Sequence, residues 1–499
     1  MNSTTNNAAD KKTEATEPRR LKDIKQWDIE TDVAIAGFGG AGSCAAIEAS
    51  DAGSNVIIFE LASESGGSTK LSSAEIYMGG SGGTPIQQAC GFNDTTEDMI
   101  AYLEMSQGDL GDKEKIKTYC ENSVDHYHWL VDKGARYKES FHQERAIMAL
   151  TDDCLLYTGS EKAMPYADKA KPCPRGHNLY VEGDNGGPFL MNALTKQVEQ
   201  RSDKIRVEYE ARVLTLIADD ENQVHGLVVR MNMQEYNVRA KKGVILCAGG
   251  FVMNDAMVEK YAPKLKQATY QVGNPGDTGT GIMMGMGVGA NTINMGEGFM
   301  SMPFYPPADI TKGIIINEQA QRFINEDCYH SRVGAYAFKQ LGRRIYFILH
   351  ASDDFQTPQF LFADFAGTGE TIEELAEEIK LDADMLKHTI NYYNKNAREG
   401  KDPVFQKSAE YLEEIKAPYV ALDLTPGNGA IMPYFTLGGL ETKVTGEVLT
   451  PNGKVIKGLY AAGRTTAGLP RSAEGYASGL SVGDATFFGR LAGQAVARQ

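Results

Sequence analysis

The chain has 499 residues, 42% of them hydrophobic, enough to bury a sizeable core spread over two or three domains. Lys plus Arg number 50 against 66 Asp plus Glu, and the formal charge of −16 opposes nucleic acid and anionic lipid surfaces, leaving a small molecule as the expected partner. The 7 cysteines lie far apart with no C-x-x-C pair, which fits reduced thiols better than a disulfide framework or a cysteine metal site.

Residues 1–26 are polar, lack the apolar stretch of a signal peptide despite the pair Arg19-Arg20, and read as a disordered extension. No window approaches the ~20 apolar residues of a membrane span, so a cytoplasmic protein is expected. Residues 31–36, TDVAIA, read as a buried strand ending in glycines, AGSCAAIEASDAG as a helix, and NVIIFE as a second buried strand, together a βαβ unit of a parallel sheet. Residues 61–90, rich in Gly and Ser, read as loop. The spacing of Met99, Tyr102, Leu103, Ile116, Tyr119, Val124, Trp129 and Leu130 predicts amphipathic helices over 96–137, covering one side of a nucleotide site.

Residues 205–239 alternate like a small antiparallel meander, and GVILCAGGF follows as a buried strand running into Gly249 and Gly250. After a glycine-rich segment the texture changes near residue 291 to aromatics, prolines and a charged helical block. The chain then returns to a hairpin, VTGEVLTPNGKVIKG, a strand, LYAAG, and a last helix over 480–497. The expected class is α/β, a Rossmann-type domain over 27–290 and 434–499 interrupted by a smaller α+β catalytic domain over 291–433.

The first βα turn carries G-x-G-x-x-G. Gly37 permits the tight turn, Gly39 lets backbone approach a pyrophosphate, Gly42 allows close helix packing, and Gly40 and Ala41 complete a loop at a helix N-terminus. Glu60 ends the second strand, where a carboxylate accepts from ribose hydroxyls. FAD is favoured over NAD by the downstream returns: ILCAGG beside the first strand, and LYAAG leading to a helix whose start, Leu480 and Ser481, would face the flavin and stabilise negative charge at its N1–O2 edge. Asp277 in GDTGTG reads equally as a ribityl hydroxyl acceptor or as a helix N-cap.

The set GFGGAG, Glu60, GGS, ILCAGGF, GDTGTG, FTLGG and GLYAAGR resembles the flavoprotein family of fumarate reductases and 3-ketosteroid dehydrogenases over about residues 30–497. The resemblance implies an FAD domain interrupted by a catalytic domain, with Gly67, Ser68, Val213, Ala248, Gly249, Gly463 and Glu474 among the cofactor contacts. It implies a noncovalent flavin, because Ser68 and Thr69 stand where respiratory relatives place a flavin-linked His. In the fumarate reductase branch a His precedes T-x-G-G and an Arg lies in a segment like H-G-x-N-R-L-G-G-N; here Phe435 and RSAEGYASGLS stand instead. Tyr476-Ala477-Ser478, together with Tyr329 in RFINEDCYHS, is similar to the tyrosines and serine of enzymes that introduce a double bond between C4 and C5 of 3-keto-5α-steroids.

That reaction removes a proton beside the carbonyl and a hydride one carbon further on, the hydride going to flavin N5. Tyr476 is the expected donor to the ketone oxygen, Ser478 the expected base, and Tyr329, or His330 beside it, the relay that a serine needs. Backbone N–H groups around Gly479 would add a second donor. Ser478 also reads as a cap of the last helix. Met283, Met284, Met286, Met295, Met300 and Met302 read as core or as pocket lining, and Tyr305, Pro306 and Pro307 as a pocket wall or a turn. The competing readings are a soluble fumarate- or urocanate-type enoate reductase holding carboxylate with Arg332, Arg464 or Arg471, a 1-ene-forming ketosteroid dehydrogenase, and a flavin-carrying subunit of a larger complex. The expected partners are a bulky apolar ketone and an electron acceptor of unspecified kind, the chain acting as a monomer or homo-oligomer.

Overall fold

The computed structural model describes residues 14–144, 151–183, 185–302, 311–340, 342, 344–351, 363–428 and 430–499. Tyr305, Pro306 and Pro307 lie outside the described residues, as do residues 1–13. The remainder of the expected extension is ordered: strand β1 (Arg19–Arg20) pairs with the main sheet. Its arginines explain why, since Arg19 reaches Glu235 and Asn237 while Arg20 bonds Asp219 O and Asn222.

Strand β2 (Ile29–Ala36), helix α1 (Gly40–Asp51) and strand β3 (Val56–Phe59) form the βαβ unit, with β2 and β3 parallel. Val33–Ala36 and Val56–Phe59 are buried, as strands covered on both faces must be. Helices α2 (Thr96–Gln107) and α3 (Lys113–Asp132) are capped by Thr95 and Asp112, whose side chains accept from the backbone of Asp98 and Lys115.

The meander differs from the sequence reading at its start. Strand β4 (Ile205–Glu208) pairs parallel to β3 at the sheet edge. The antiparallel part is β5 (Arg212–Ala218), β6 (Val224–Met231) and β7 (Gln234–Leu246). ILCAGG is not a separate strand, because β7 runs on past the meander and its second half lies parallel to β2.

A second, four-stranded antiparallel sheet holds β8 (Ile314–Asn317), β9 (Ile345–His350), β10 (Asp364–Gly369) and β11 (Tyr419–Asp423), in the order β8-β9-β11-β10. Helix α4 (His330–Ala337) lies between β8 and β9 in sequence. Helices α5 (Ile372–Ile379) and α6 (Ala383–Ala397) pack on this sheet around a core of its own, including Ile314, Ile316, Leu375, Leu386 and Ile390. Strand β12 (Glu447–Leu449) and strand β13 (Val455–Ala461) return to the main sheet, where β13 pairs parallel with β7.

The last helix, α7 (Leu480–Ala497), packs directly on α1 through small residues. A methyl carbon on Gly489 would lie 2.5 Å from Ala41 O, and one on Gly493 2.2 Å from Ala45 O. Two helices that close to this distance bring both N-termini to the same cleft. No described helix is long and apolar enough to cross a membrane.

Candidate active site

The cleft between these helix starts encloses about 630 Å³, a volume typical of cofactor and ligand sites. At one end, Gly37 adopts φ +105°, and a methyl carbon there would lie 2.4 Å from Cys247 O. Gly42 does not line the cleft; its hydrogen faces Gly37, whose carbonyl would lie 2.0 Å from an added carbon. Gly39 caps α1 without a side chain, so the first helical amides keep their donors for a ligand, apart from Gly40 N, which reaches Thr69 Oγ1 at 3.2 Å. Glu60 lines the same end. Its two oxygens accept from Phe38 N at 2.6 Å and Ala62 N at 2.9 Å, and burial raises its pKa against those donors.

Midway, Gly67, Ser68, Val213, Ala248, Gly249, Asp277 and Gly463 all line the wall. Asp277 is not an N-cap, because Gly279 caps the following helix. Its Oδ2 accepts from Ser68 Oγ at 2.6 Å and Asn274 N at 3.2 Å and pairs with Arg464. Sequence reasoning missed this three-sided clamp, since its members come from separate glycine-rich turns with no periodic signal.

At the other end, Gly479 (φ +90°) caps α7 without a side chain beside Ser481, with Leu480 N donating to Ala477 O at 3.2 Å and Ser481 N–H directed at the Tyr476 phenol. Ser478 is therefore not the cap. Its Oγ lies 2.7 Å from Tyr329 Oη, while its backbone is fixed on both sides by Thr158, through Ser478 N to Thr158 O at 2.8 Å and Thr158 Oγ1 to Ser478 O at 3.0 Å. Tyr476 is 7% exposed and donates to Ser481 Oγ at 2.9 Å. Burial pushes its phenol up to about 12, opposed by the Ser481 bond and Arg464. Phe299 and Phe435 stack at 4.7 Å between ring centres, and Phe299 meets the Tyr476 ring edge-on at 4.7 Å. Phe299 carried no sequence signal; it enters through a short strand, Gly298–Met300, paired with Pro433–Thr436.

Two expected cofactor contacts stand elsewhere. Glu474 does not line the cleft; it accepts from Arg332, Tyr336 and Lys339, a cationic cluster beside it that a carboxylate neutralises. Leu480 is fully buried among Tyr77, Leu469 and Phe487, leaving Ser481 to face the cleft. His330 binds Ser301 Oγ through Nδ1 and packs against the Tyr329 ring. Met283, Met284, Met300 and Met302 belong to the core, with Met284 alone among the six methionines also lining the cleft. Arg471 is buried against Gly468 O and Asp112, and Arg332 against Tyr166 and Glu474.

The wall fits FAD: uncapped helix starts at both ends for the pyrophosphate and the flavin edge, an acid at the ribose end, and glycines where a Cβ would intrude. The profile of the FAD binding domain family matches residues 32–480. The crystal structure of 3-ketosteroid-delta4-(5alpha)-dehydrogenase from Rhodococcus jostii RHA1, solved with 4-androstene-3,17-dione, superposes with a TM-score of 0.91 at 39% identity, covering 97% of this chain and 100% of that one. The 3-oxo-5-alpha-steroid 4-dehydrogenase of Comamonas testosteroni is 26% identical over 88% of this chain and 94% of that protein. The fumarate reductase (cytochrome) of Shewanella frigidimarina is also 26% identical, over 94% of this chain and 77% of that protein. The chain belongs to the FAD binding domain family and is an FAD-dependent oxidoreductase of the group that joins fumarate reductases and 3-ketosteroid dehydrogenases.

Proposed function

We propose that this enzyme dehydrogenates a 3-ketosteroid, introducing a double bond between C4 and C5. The observation that carries the reading is the Tyr329–Ser478 pair at 2.7 Å beside the buried Tyr476 phenol, under an aromatic wall of Phe299 and Phe435. FAD, when bound, supplies the hydride acceptor. Tyr476, held neutral by burial, turns its one O–H from Ser481 Oγ to the ketone oxygen of the bound substrate and makes the adjacent proton removable. Ser478 takes that proton as its own passes to Tyr329 Oη and the tyrosine's phenolic proton leaves in turn, so neither hydroxyl keeps an added proton. Asp277, Glu60 and the two helix starts hold the cofactor noncovalently. The stacked phenylalanines exclude water and select a flat apolar substrate.

The dicarboxylate alternative loses support from its own arginines. Arg332 and Arg471 are engaged within the protein, and Arg464, which does line the cleft, is paired with Asp277. The likeness to a ketosteroid dehydrogenase over nearly the whole of both chains favours the steroid reading further. Turnover of 5α-androstane-3,17-dione to its 4-ene with an artificial electron acceptor is the expected result. Oxidation of the reduced flavin by fumarate, without steroid turnover, would overturn it.

A further inference from the structure

A proton taken from the steroid has to leave a chamber that the steroid itself fills, behind an apolar wall of Phe299 and Phe435. Tyr329, the second member of the relay, does not line that chamber. It lines a separate small cavity of about 50 Å³, room for about three to five waters by the usual measure of about 10–15 Å³ each. This cavity is bounded by the buried Glu161 and Asp327 and reaches exposed Glu144 and Lys162 at its outer side. The partition between the two spaces is the segment 158–161. Thr158 ties down the backbone of Ser478, Ser160 Oγ accepts from Tyr329 N at 2.9 Å, and Glu161 faces away from the steroid side.

We propose that this second cavity is the proton outlet of the reaction, with Glu161 as the acceptor to which Tyr329 delivers through water. The inference rests on the ketosteroid reading above. The C–H bond beside the ketone breaks, its electron pair stays in the ring, the proton goes to Ser478 Oγ, the serine proton to Tyr329 Oη, and the tyrosine proton through water to the carboxylate. Glu161 is 1% exposed and accepts from Tyr77 Oη at 3.0 Å, from Gly159 N at 2.9 Å and from its own backbone N–H, three donors for the four lone pairs of a carboxylate. Asp327 has Oδ2 engaged by Ser408, while its buried Oδ1 has no protein partner among the described residues and can hold the bridging water. The titratable groups around Glu161 and its cavity are Tyr77, Tyr102, Tyr157, Cys173, Asp327, Tyr329, Tyr411, Glu144, Lys162, and Arg175 with its partner Asp94. Burial raises the Glu161 carboxyl above its ordinary value, against the opposing pull of its own backbone N–H and of Arg175, which suits a group that takes up a proton and releases it.

The test is deuterium exchange into the ring carbon beside the ketone, with the holoenzyme and 5α-androstane-3,17-dione in heavy water without an electron acceptor, read by mass spectrometry. Glu161→Gln should slow exchange by about tenfold or more and remove the fall in rate on the acid side, with bound flavin unchanged. Glu161→Asp should be slower than native but keep the acid-side fall. Exchange in Glu161→Gln at the native rate, slowing with an unchanged pH profile, or slowing that merely tracks lost flavin would overturn the outlet. Native exchange that survives in Ser478→Ala would instead sink the ketosteroid relay on which it rests, so the two failures are distinguishable.

Discussion

At the dinucleotide end of the cleft, Gly37, Gly39 and Gly249 bring bare backbone to the wall, whereas at the reaction end Tyr476, Ser478, Phe299 and Phe435 arrive as side chains from three separate segments, with Tyr329 behind Ser478. The first end recognises charge with aligned amides and needs the absence of atoms; a Cβ on Gly249 would lie 1.9 Å from Asp277 Oδ1. The second needs particular functional groups, each held by packing and a fixed partner. On the proposed function, one end is a phosphate and nucleotide clamp that suits any chemistry, and the other decides which chemistry is done.

Substitutions should therefore separate the two ends. The largest effect is expected from Tyr476→Phe, which keeps the ring packed on Phe299 but removes the proposed donor to the ketone oxygen: turnover should fall by about 10²–10³-fold, the scale of losing one preorganised donor, with flavin content unchanged. Steady-state kinetics and the flavin absorbance of the purified variant check both parts. Gly42→Val breaks the comparison from the other side. With only 2.0 Å to the Gly37 carbonyl, α1 must move off the sheet, costing about 2–4 kcal/mol of stability and most of the bound flavin, as read by thermal melting and flavin release. A variant that kept its flavin but lost turnover would mean that the loop is not a clamp alone.

The difference between the ends also explains what the sequence made legible. Glycine motifs, continuous strands such as VIIF and the helix starts are local, and each was readable from a few adjacent residues. Ser478 and Tyr329 meet across 149 positions, and only resemblance linked them. Glu474 and Leu480 sit within two residues of genuine cleft residues yet face elsewhere, because adjacency says little about side-chain direction in the irregular turn before α7 or at the helix's first residue. Residues 205–208 have the alternation of a meander strand, but parallel pairing to β3 at the sheet edge tolerates the same pattern. Arg19 and Arg20 read as part of a disordered extension, because their partners, Glu235 and Asn237 for the first and Asp219 O and Asn222 for the second, lie about 200 positions away.

A smaller effect should come from Phe299→Leu. It keeps an apolar wall but loses stacking on Phe435, for which about 0.5–1.5 kcal/mol is typical, so KM for the steroid should rise by roughly 2- to 12-fold with kcat little changed. A fall in kcat with KM unchanged would move Phe299 from the substrate wall into the geometry of Tyr476.

The smallest effect expected below pH 10 is on the donor itself. An ordinary tyrosine ionises near ~10, but burial pushes Tyr476 up to about 12, so its folded form holds its proton more tightly than its unfolded form. The stability it contributes is complete below pH ~10 and is lost as pH rises through about 12. Turnover should therefore show no alkaline limb from Tyr476 near neutrality, and phenolate absorbance should lack one high-pH titration in Tyr476→Phe compared with the native protein. A limb near pH ~10 that disappears in this variant would mean that the phenol is wetter than its 7% exposure indicates, and that the aromatic wall does not seal the reaction end.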